Sequence, residues 1–133
     1  MSSHLETISA IYAAFGRGDV PFILSCLTED VAWDDRAHHG IPLIQPRKGA
    51  AEVPAFFGTL QQAEFEQFEV KQLLAGGARV VALIEIKLLW KPTGRRFADD
   101  HAIHVWEFDG HGKVARFTHV EDTHAMWLAT VAP

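Results

Sequence analysis

Residues 79–122 have the sequence RVVALIEIKLLWKPTGRRFADDHAIHVWEFDGHGKVARFTHVED, and the predicted fold follows from this segment. It contains three strand-like runs, at 79–90, 95–108 and 113–122, separated by turn sequences rich in glycine, proline and aspartate. A similar run at 64–75 precedes them and ends at a Gly-Gly pair. Strand-like runs joined by short turns of this composition predict consecutive β-hairpins. The second half is therefore predicted to form an antiparallel meander of four strands.

The first half of the chain predicts helices. Ser3 and Glu6 form a capping box before an apolar stripe with helical spacing over 5–15. Asp19 is expected to cap a second, short helix. We also expect a strand over 31–35, a third helix over 49–63 and a short amphipathic tail over 124–131. This order predicts an α+β fold, in which three helices from the N-terminal half close the mouth of a cone-shaped, strongly curved antiparallel sheet.

Composition narrows the possible functions. The chain has 133 residues, and 12 basic against 17 acidic side chains give it a formal net charge of −5. This length predicts one domain over 1–133, and an acidic chain without a basic run is unsuited to nucleic acid or an anionic membrane. The N-terminus lacks the features of an export signal, and the single cysteine, Cys26, excludes an intramolecular disulfide. We therefore expect a cytoplasmic protein without nucleic-acid or membrane partners.

Side-chain alternation along strand 95–108 distinguishes an inner from an outer face. The more apolar face carries His104 and Trp106, together with Ala98 and Asp100, and is predicted to be concave. The opposite face carries Phe97, Ile103 and Val105.

The same alternation predicts that three ionisable side chains share the hollow of the cone. Asp35 has the parity of Trp33, and His119 has that of Phe117, so both are expected to point inward with His104. A carboxylate and two imidazoles in one cavity suit proton transfer near neutral pH, although each can equally be a hydrogen-bonded polar group of the core. The three could in principle converge on zinc, but we expect neither a metal nor a cofactor.

Aromatic side chains are expected to wall this hollow and to bind a substrate, although Trp33 and Trp106 can equally be ordinary core residues. Glu121 has the inward parity of the last strand and is expected either to hydrogen-bond and orient a histidine or, equally, to form a salt bridge at the rim. The pair His38-His39 lies in a loop that could cover the mouth of the cone or simply be solvated. The candidate walls are Trp33, Phe56, Trp106 and Phe117.

Over essentially its whole length the chain resembles the SnoaL-like and ketosteroid isomerase-like proteins of the nuclear transport factor two-like superfamily. The resemblance rests on the order and spacing of segments 11–35, 47–57 and 104–114, the last of which is HVWEFDGHGKV. It implies a cone of curved sheet with three helices, usually in a dimer packed through the sheet. The outer-face residues Phe97, Ile103 and Val105 would then meet the partner of a homodimer.

The resemblance also implies roles for particular positions. Asp35 falls where ketosteroid isomerase has its proton-shuttling aspartate, and His104 falls where it has the protonated aspartate of its oxyanion hole. The tyrosine of that oxyanion hole would fall at Ile11, and Tyr12 follows one position later as a substrate-binding candidate. The acid–base aspartate of the polyketide cyclases falls near His119.

Two functions agree with these expectations. The first is a cofactor-independent isomerase, cyclase, hydrolase or dehydratase acting on a small hydrophobic carbonyl or polyketide-like compound. In it Asp35 is the base, His104 donates to the developing oxyanion, and His119 shuttles a proton or positions the substrate. The alternative is a non-catalytic ligand-binding or dimerisation module, because a fold does not by itself determine a function.

Overall fold

The computed structural model describes residues 3–37 and 40–133, so the loop pair His38-His39 lies outside the described residues. Ser3 caps the first helix by accepting a hydrogen bond from the Glu6 amide (3.1 Å). Asp19 caps the second by accepting one from the Phe22 amide (3.2 Å). Both predicted caps are confirmed. The helices are α1 (His4–Gly16), α2 (Val20–Ser25), α3 (Val53–Leu60) and α4 (Thr123–Thr130).

Six strands form a single curved sheet. They are β1 (Leu27–Trp33), β2 (Arg47–Lys48), β3 (Ala63–Gly76), β4 (Arg79–Trp90), β5 (Arg95–Phe108) and β6 (Val114–Val120). Their order in the sheet is β2-β1-β6-β5-β4-β3. β1 runs parallel to β6, whereas the other neighbouring strands are antiparallel. The predicted α+β class and the predicted meander from β3 to β6 are confirmed.

Two elements of the first half differ from the prediction. α3 begins at Val53, later than predicted, because the preceding residues bond back to β1. The Gly49 amide donates to the Val31 carbonyl (2.7 Å), and the Ala50 amide donates to the Glu29 carbonyl (3.0 Å). β1 covers Leu27–Trp33 and not the predicted 31–35. It ends at Trp33 because the next residue, Asp34, leaves the extended conformation (φ 52°).

A β-bulge interrupts the pairing of β4 with β5. Ile84 pairs with Ala102 and Ile86 pairs with Asp99, so Glu85 of β4 faces two residues of β5. A bulge bends its strand and changes the direction of the side chains that follow. Register shifts also occur between β3 and β4, between β5 and β6, and between β1 and β6. These irregularities let the sheet curve around the helices.

Because of the bulge, the predicted inner and outer faces of β5 are wrong for the residues that precede it. Phe97 is buried in the core of the chain (2% exposed), so its predicted place on the outer face is wrong. Ala98 and Asp100 are exposed and do not belong to the concave face. Beyond the bulge, the predicted inward positions of His104 and Trp106 are confirmed, since both are buried.

The sheet and the helices enclose two clusters of buried side chains. The first includes Ile8 of α1 and Trp33 of β1, and the second includes Phe97 of β5 and Met126 of α4. Tyr12 packs against both clusters, so the space beneath α1 is where they meet. None of the helices in the described part of the chain combines the length and hydrophobicity that crossing a membrane requires.

Gly49 provides a test of the connection between β1 and α3. Its φ is +85°, and a Cβ at this position would lie 3.2 Å from the Glu29 carbonyl oxygen. Gly49→Ala is therefore expected to reduce the free energy of unfolding by about 1–2 kcal/mol, measured by urea denaturation. Gly58→Ala in α3 is the control. A Cβ at this position meets open space, so replacing a helical glycine with alanine should raise the free energy of unfolding by about 0.5–1 kcal/mol. Equal effects at both positions would contradict this description.

Candidate functional site

Asp34, and not Asp35, is the aspartate that points into the protein. Asp34 follows the last residue of β1 and has a φ of 52°, a left-handed conformation that aspartate adopts more readily than most residues. Its amide donates to the Phe117 carbonyl of β6 (2.9 Å), and 1% of its side chain is exposed. Side chains alternate only in extended backbone, so the parity of Trp33 does not continue to Asp35.

Asp35 lies on the surface. Its side chain is 39% exposed and pairs with Arg116, with 3.2 Å between Oδ1 and Nη1. A surface ion pair of this kind typically contributes about 0–1 kcal/mol to stability. The predicted inward position of Asp35 is wrong, and the reason for assigning it a catalytic role is lost with it.

Asp34 and His119 form a buried carboxylate–imidazole pair. One carboxylate oxygen accepts a hydrogen bond from the His119 amide (2.8 Å), and the other lies 2.6 Å from Nδ1 of the His119 ring. Burial opposes the charged imidazole, but the Asp34 carboxylate outweighs it and raises the pKa of His119 above its usual value. Because Nδ1 is occupied by Asp34, Nε2 is the nitrogen that remains for a ligand.

His104 is oriented by a chain of hydrogen bonds. The Trp106 indole N–H donates to the Tyr12 hydroxyl oxygen (3.0 Å), and that hydroxyl lies 2.7 Å from Nδ1 of His104. An indole N–H can only donate, so the Tyr12 proton is free to be donated to Nδ1. Burial lowers the pKa of His104, although its hydrogen bond to Glu121 opposes this. Burial thus favours the neutral imidazole of His104, and a Tyr12 hydroxyl that donates to Nδ1 leaves the ring proton on Nε2.

The structure resolves the choice between Ile11 and Tyr12. Both line the pocket, but the Tyr12 hydroxyl makes the polar contacts with His104 and Trp106. Burial raises the pKa of Tyr12 far above its usual value, although the hydrogen bond from Trp106 acts against this. Tyr12 is thus a protonated hydroxyl that positions His104.

Glu121 is a buried carboxylate at the end of β6. Its side chain is 3% exposed, and its Oε1 lies 3.5 Å from Nε2 of His104. Within the described residues, no lysine or arginine forms an ion pair with Glu121, and the His104 ring is its nearby nitrogen partner. A carboxylate can accept up to about four hydrogen bonds, so Glu121 retains acceptor capacity for a ligand.

These groups border an apolar cavity of about 70 Å³. His104, His119 and Glu121 supply polar groups at its wall, and Asp34 lies behind His119. The cavity is smaller than the ~300–1,000 Å³ of ordinary ligand pockets, so a drug-sized ligand requires aromatic side chains to move. All predicted wall and binding residues line it: Tyr12, Trp33, Phe56, Trp106, Phe117 and Glu121.

Sequence reasoning missed Asp34 because it extended strand alternation one residue too far. The signal was present in the sequence: two consecutive aspartates follow an apolar strand end, and only one of them can point inward. Within residues 3–37 and 40–133, His104, His119 and Glu121 offer ligating atoms that lie within 4.8 Å of one another. The sequence analysis named Asp35 as the carboxylate that could bind zinc with the two histidines. In the structure the carboxylate near both histidines is that of Glu121.

Comparison with known protein families agrees with the fold. The profile of the SnoaL-like domain matches residues 8–117. The chain belongs to this family of SnoaL-like proteins, and its fold is that of the NTF2-like proteins. Among curated proteins, no sequence matches this chain.

Solved structures extend the comparison to the whole chain. An NTF2-like protein from Burkholderia pseudomallei is 26% identical with a TM-score of 0.80, covering 99% of this chain and 100% of that one. One from Burkholderia xenovorans is 26% identical with a TM-score of 0.84, covering 96% and 95%. TerC, co-crystallised with polyporic acid, is 23% identical with a TM-score of 0.75, covering 96% and 98%.

Measurements of stability can show which of the two aspartates, Asp34 or Asp35, is the buried one. Asp34→Asn breaks a buried charge pair with His119 and should lower the free energy of unfolding by about 3 kcal/mol. Asp35→Asn removes a surface pair and should cost less than about 1 kcal/mol. Urea denaturation of both variants measures the difference, and a larger loss from Asp35→Asn would refute the assignment of Asp34 as the buried aspartate.

Proposed function

We propose that the protein is a cofactor-independent acid–base enzyme acting on a small hydrophobic carbonyl compound. The observation that carries this proposal is the pairing of two different groups in one apolar pocket. Glu121 is a buried carboxylate with free acceptor capacity, and His119 is an imidazole whose positive charge is stabilised by Asp34. A carboxylate that can accept a proton and an imidazolium that can donate one are the two groups that general acid–base catalysis requires.

In the proposed reaction, Glu121 removes a proton from the carbon next to the carbonyl group. The electron pair of that C–H bond moves to the carbonyl oxygen, which accepts a hydrogen bond from Nε2–H of His119. Such a donor stabilises the enolate that forms. Glu121 then returns the proton to the same carbon, or to another carbon of a conjugated system, so no redox partner is needed.

His104 and Tyr12 act in this proposal as positioning residues. Nε2 of His104 lies 3.5 Å from Oε1 of Glu121, and this contact holds the carboxylate in place. Tyr12 and Trp106 fix the tautomer that makes this contact possible. We therefore assign to His119 the role of oxyanion donor that the sequence analysis predicted for His104.

The wall of the pocket supports a hydrophobic substrate. Trp33 packs against Phe117 with ring centroids 4.1 Å apart, and Trp106 lies 4.5 Å from Phe117 by the same measure. Aromatic faces of this kind bind flat apolar groups. The presence of polyporic acid in the crystals of TerC supports ligand binding within this fold.

A non-catalytic ligand-binding module is the second candidate. The small cavity and the mutual hydrogen bonding of Asp34 with His119 favour it, because saturated polar groups have less capacity for a substrate. The two candidates differ in whether the protein labilises a C–H bond.

Deuterium exchange distinguishes the two candidates. A panel of small aryl and alkyl ketones is incubated with the protein in D₂O, and NMR measures deuterium incorporation next to the carbonyl group. We expect exchange that Glu121→Gln slows by at least about 100-fold, the usual contribution of a general base. Asp35→Asn is the control and should exchange at the wild-type rate. Equal rates in wild type and Glu121→Gln would refute the catalytic assignment, and binding without exchange would support the module.

We also propose a cytoplasmic homodimer packed through the outer face of the sheet. Ile103 pairs across the strands with Leu83 on one side and Val120 on the other, which forms an apolar row on that face. Val120 is 48% exposed, and exposed apolar rows of this kind often mark protein interfaces.

Light scattering tests the dimer. The wild-type chain at micromolar concentration should have twice the mass of one 14.8 kDa chain. Ile103→Asp should give a monomer, because it would bury a charge in the interface. A monomeric wild type would disprove the proposed dimer, and Leu128→Asp in α4 is the control that should remain dimeric.

A further inference from the structure

We propose that the pocket also binds one divalent transition-metal ion such as Zn²⁺, with His104, His119 and Glu121 as its ligands. Each residue offers a ligating atom, and these atoms all lie within 4.8 Å of one another. Two imidazole nitrogens and one carboxylate oxygen are a ligand set that zinc accepts with a fourth position open to water or substrate. This inference does not depend on the proposed acid–base reaction.

The spacing of the ligands is close to that of a metal site. Two ligands of tetrahedral zinc, each about 2.1 Å from the ion, are roughly 3.4 Å apart. The distance from His104 Nε2 to Glu121 Oε1 is 3.5 Å, so this pair already has the required separation. No two of the ligating atoms are more than 4.8 Å apart, so each separation must close by at most about 1.4 Å, which rotation of the side chains can provide.

The outer partners of both histidines support the same site. Metal-bound histidines usually donate their other ring N–H to a carboxylate or another oxygen, which fixes the ring. Here Asp34 occupies Nδ1 of His119 (2.6 Å), and the Tyr12 oxygen occupies Nδ1 of His104 (2.7 Å). The nitrogens left for the ion are therefore Nε2 in both rings.

Tyr12 can adapt to the bound ion. A metal on Nε2 of His104 leaves the ring proton on Nδ1, where the Tyr12 oxygen must accept it. That oxygen already accepts the Trp106 indole N–H, and a phenolic oxygen has a second lone pair for the additional bond. Binding therefore requires two proton rearrangements: the ring proton of His104 moves from Nε2 to Nδ1, and the Tyr12 hydroxyl proton turns away from that nitrogen.

A bound ion would exclude the proposed acid–base reaction. The ion takes the lone pairs on His119 Nε2 and Glu121, which are the sites that would hold or accept the transferred proton. Zinc is therefore expected to inhibit exchange of the ketones, while the metal-free protein carries it out. Binding of the ion itself is measured without reference to activity.

The experiment uses the full chain without a histidine tag, freed of metal by a chelator. Calorimetric titration with Zn²⁺ should give one site per chain, and Co²⁺ should give the visible absorption of a four-coordinate ion. Glu121→Gln and His119→Gln should each weaken Zn²⁺ binding at least tenfold, and Asp34→Asn should weaken it about 10–100-fold. His101→Ala is the control, because this histidine is 89% exposed and outside the pocket.

Melting temperatures of the metal-free variants establish that each one folds. Weakened binding by a folded Glu121→Gln, with unchanged binding by His101→Ala, confirms the site. Unchanged Zn²⁺ affinity in folded Glu121→Gln and His119→Gln, or a wild-type dissociation constant weaker than millimolar, overturns it. The metal site can fail while deuterium exchange persists in chelator, and exchange can fail while zinc binds, so the two proposals are distinguishable.

Discussion

A carboxylate cannot be buried in an apolar core without partners, and Asp34 obtains two of them from one residue. The backbone amide and the ring of His119 both bond to it. This pair also joins the end of β1 to β6, which run parallel side by side. Fixing Asp34 therefore fixes the direction of the His119 ring, and the other polar groups of the pocket are arranged around that ring.

The curvature of the sheet provides the space in which this pair operates. The bulge in β5 separates a stretch that packs under α4 from a stretch that faces α1. His104 lies on the second stretch, within reach of the Tyr12 hydroxyl on α1. Aromatic side chains then fill most of the hollow, which leaves a small cavity bordered by one carboxylate and two imidazoles.

Much of the fold was predictable because turn residues divide the second half so clearly. The predicted bounds of β4 and β5 agree with the structure, since glycine and proline restrict where a strand can end. The errors arose where alternation stops: at Asp34, whose left-handed backbone turns its side chain inward, and at Phe97, which precedes a bulge. His104 and His119 were correctly placed because each lies on regular strand. The partner of His119 depends on a contact between distant segments, which side-chain parity within one strand cannot show.

The most direct test of this arrangement is ¹⁵N NMR of the histidine ring nitrogens. The structure predicts a slowly exchanging, strongly downfield Nδ1–H on His119, bonded to Asp34, and a neutral His104 protonated on Nε2. The His119 signal should disappear in Asp34→Asn and persist in Asp35→Asn. Ring signals of a freely exchanging imidazole at His119, unaffected by Asp34→Asn, would contradict the buried pair on which the site depends.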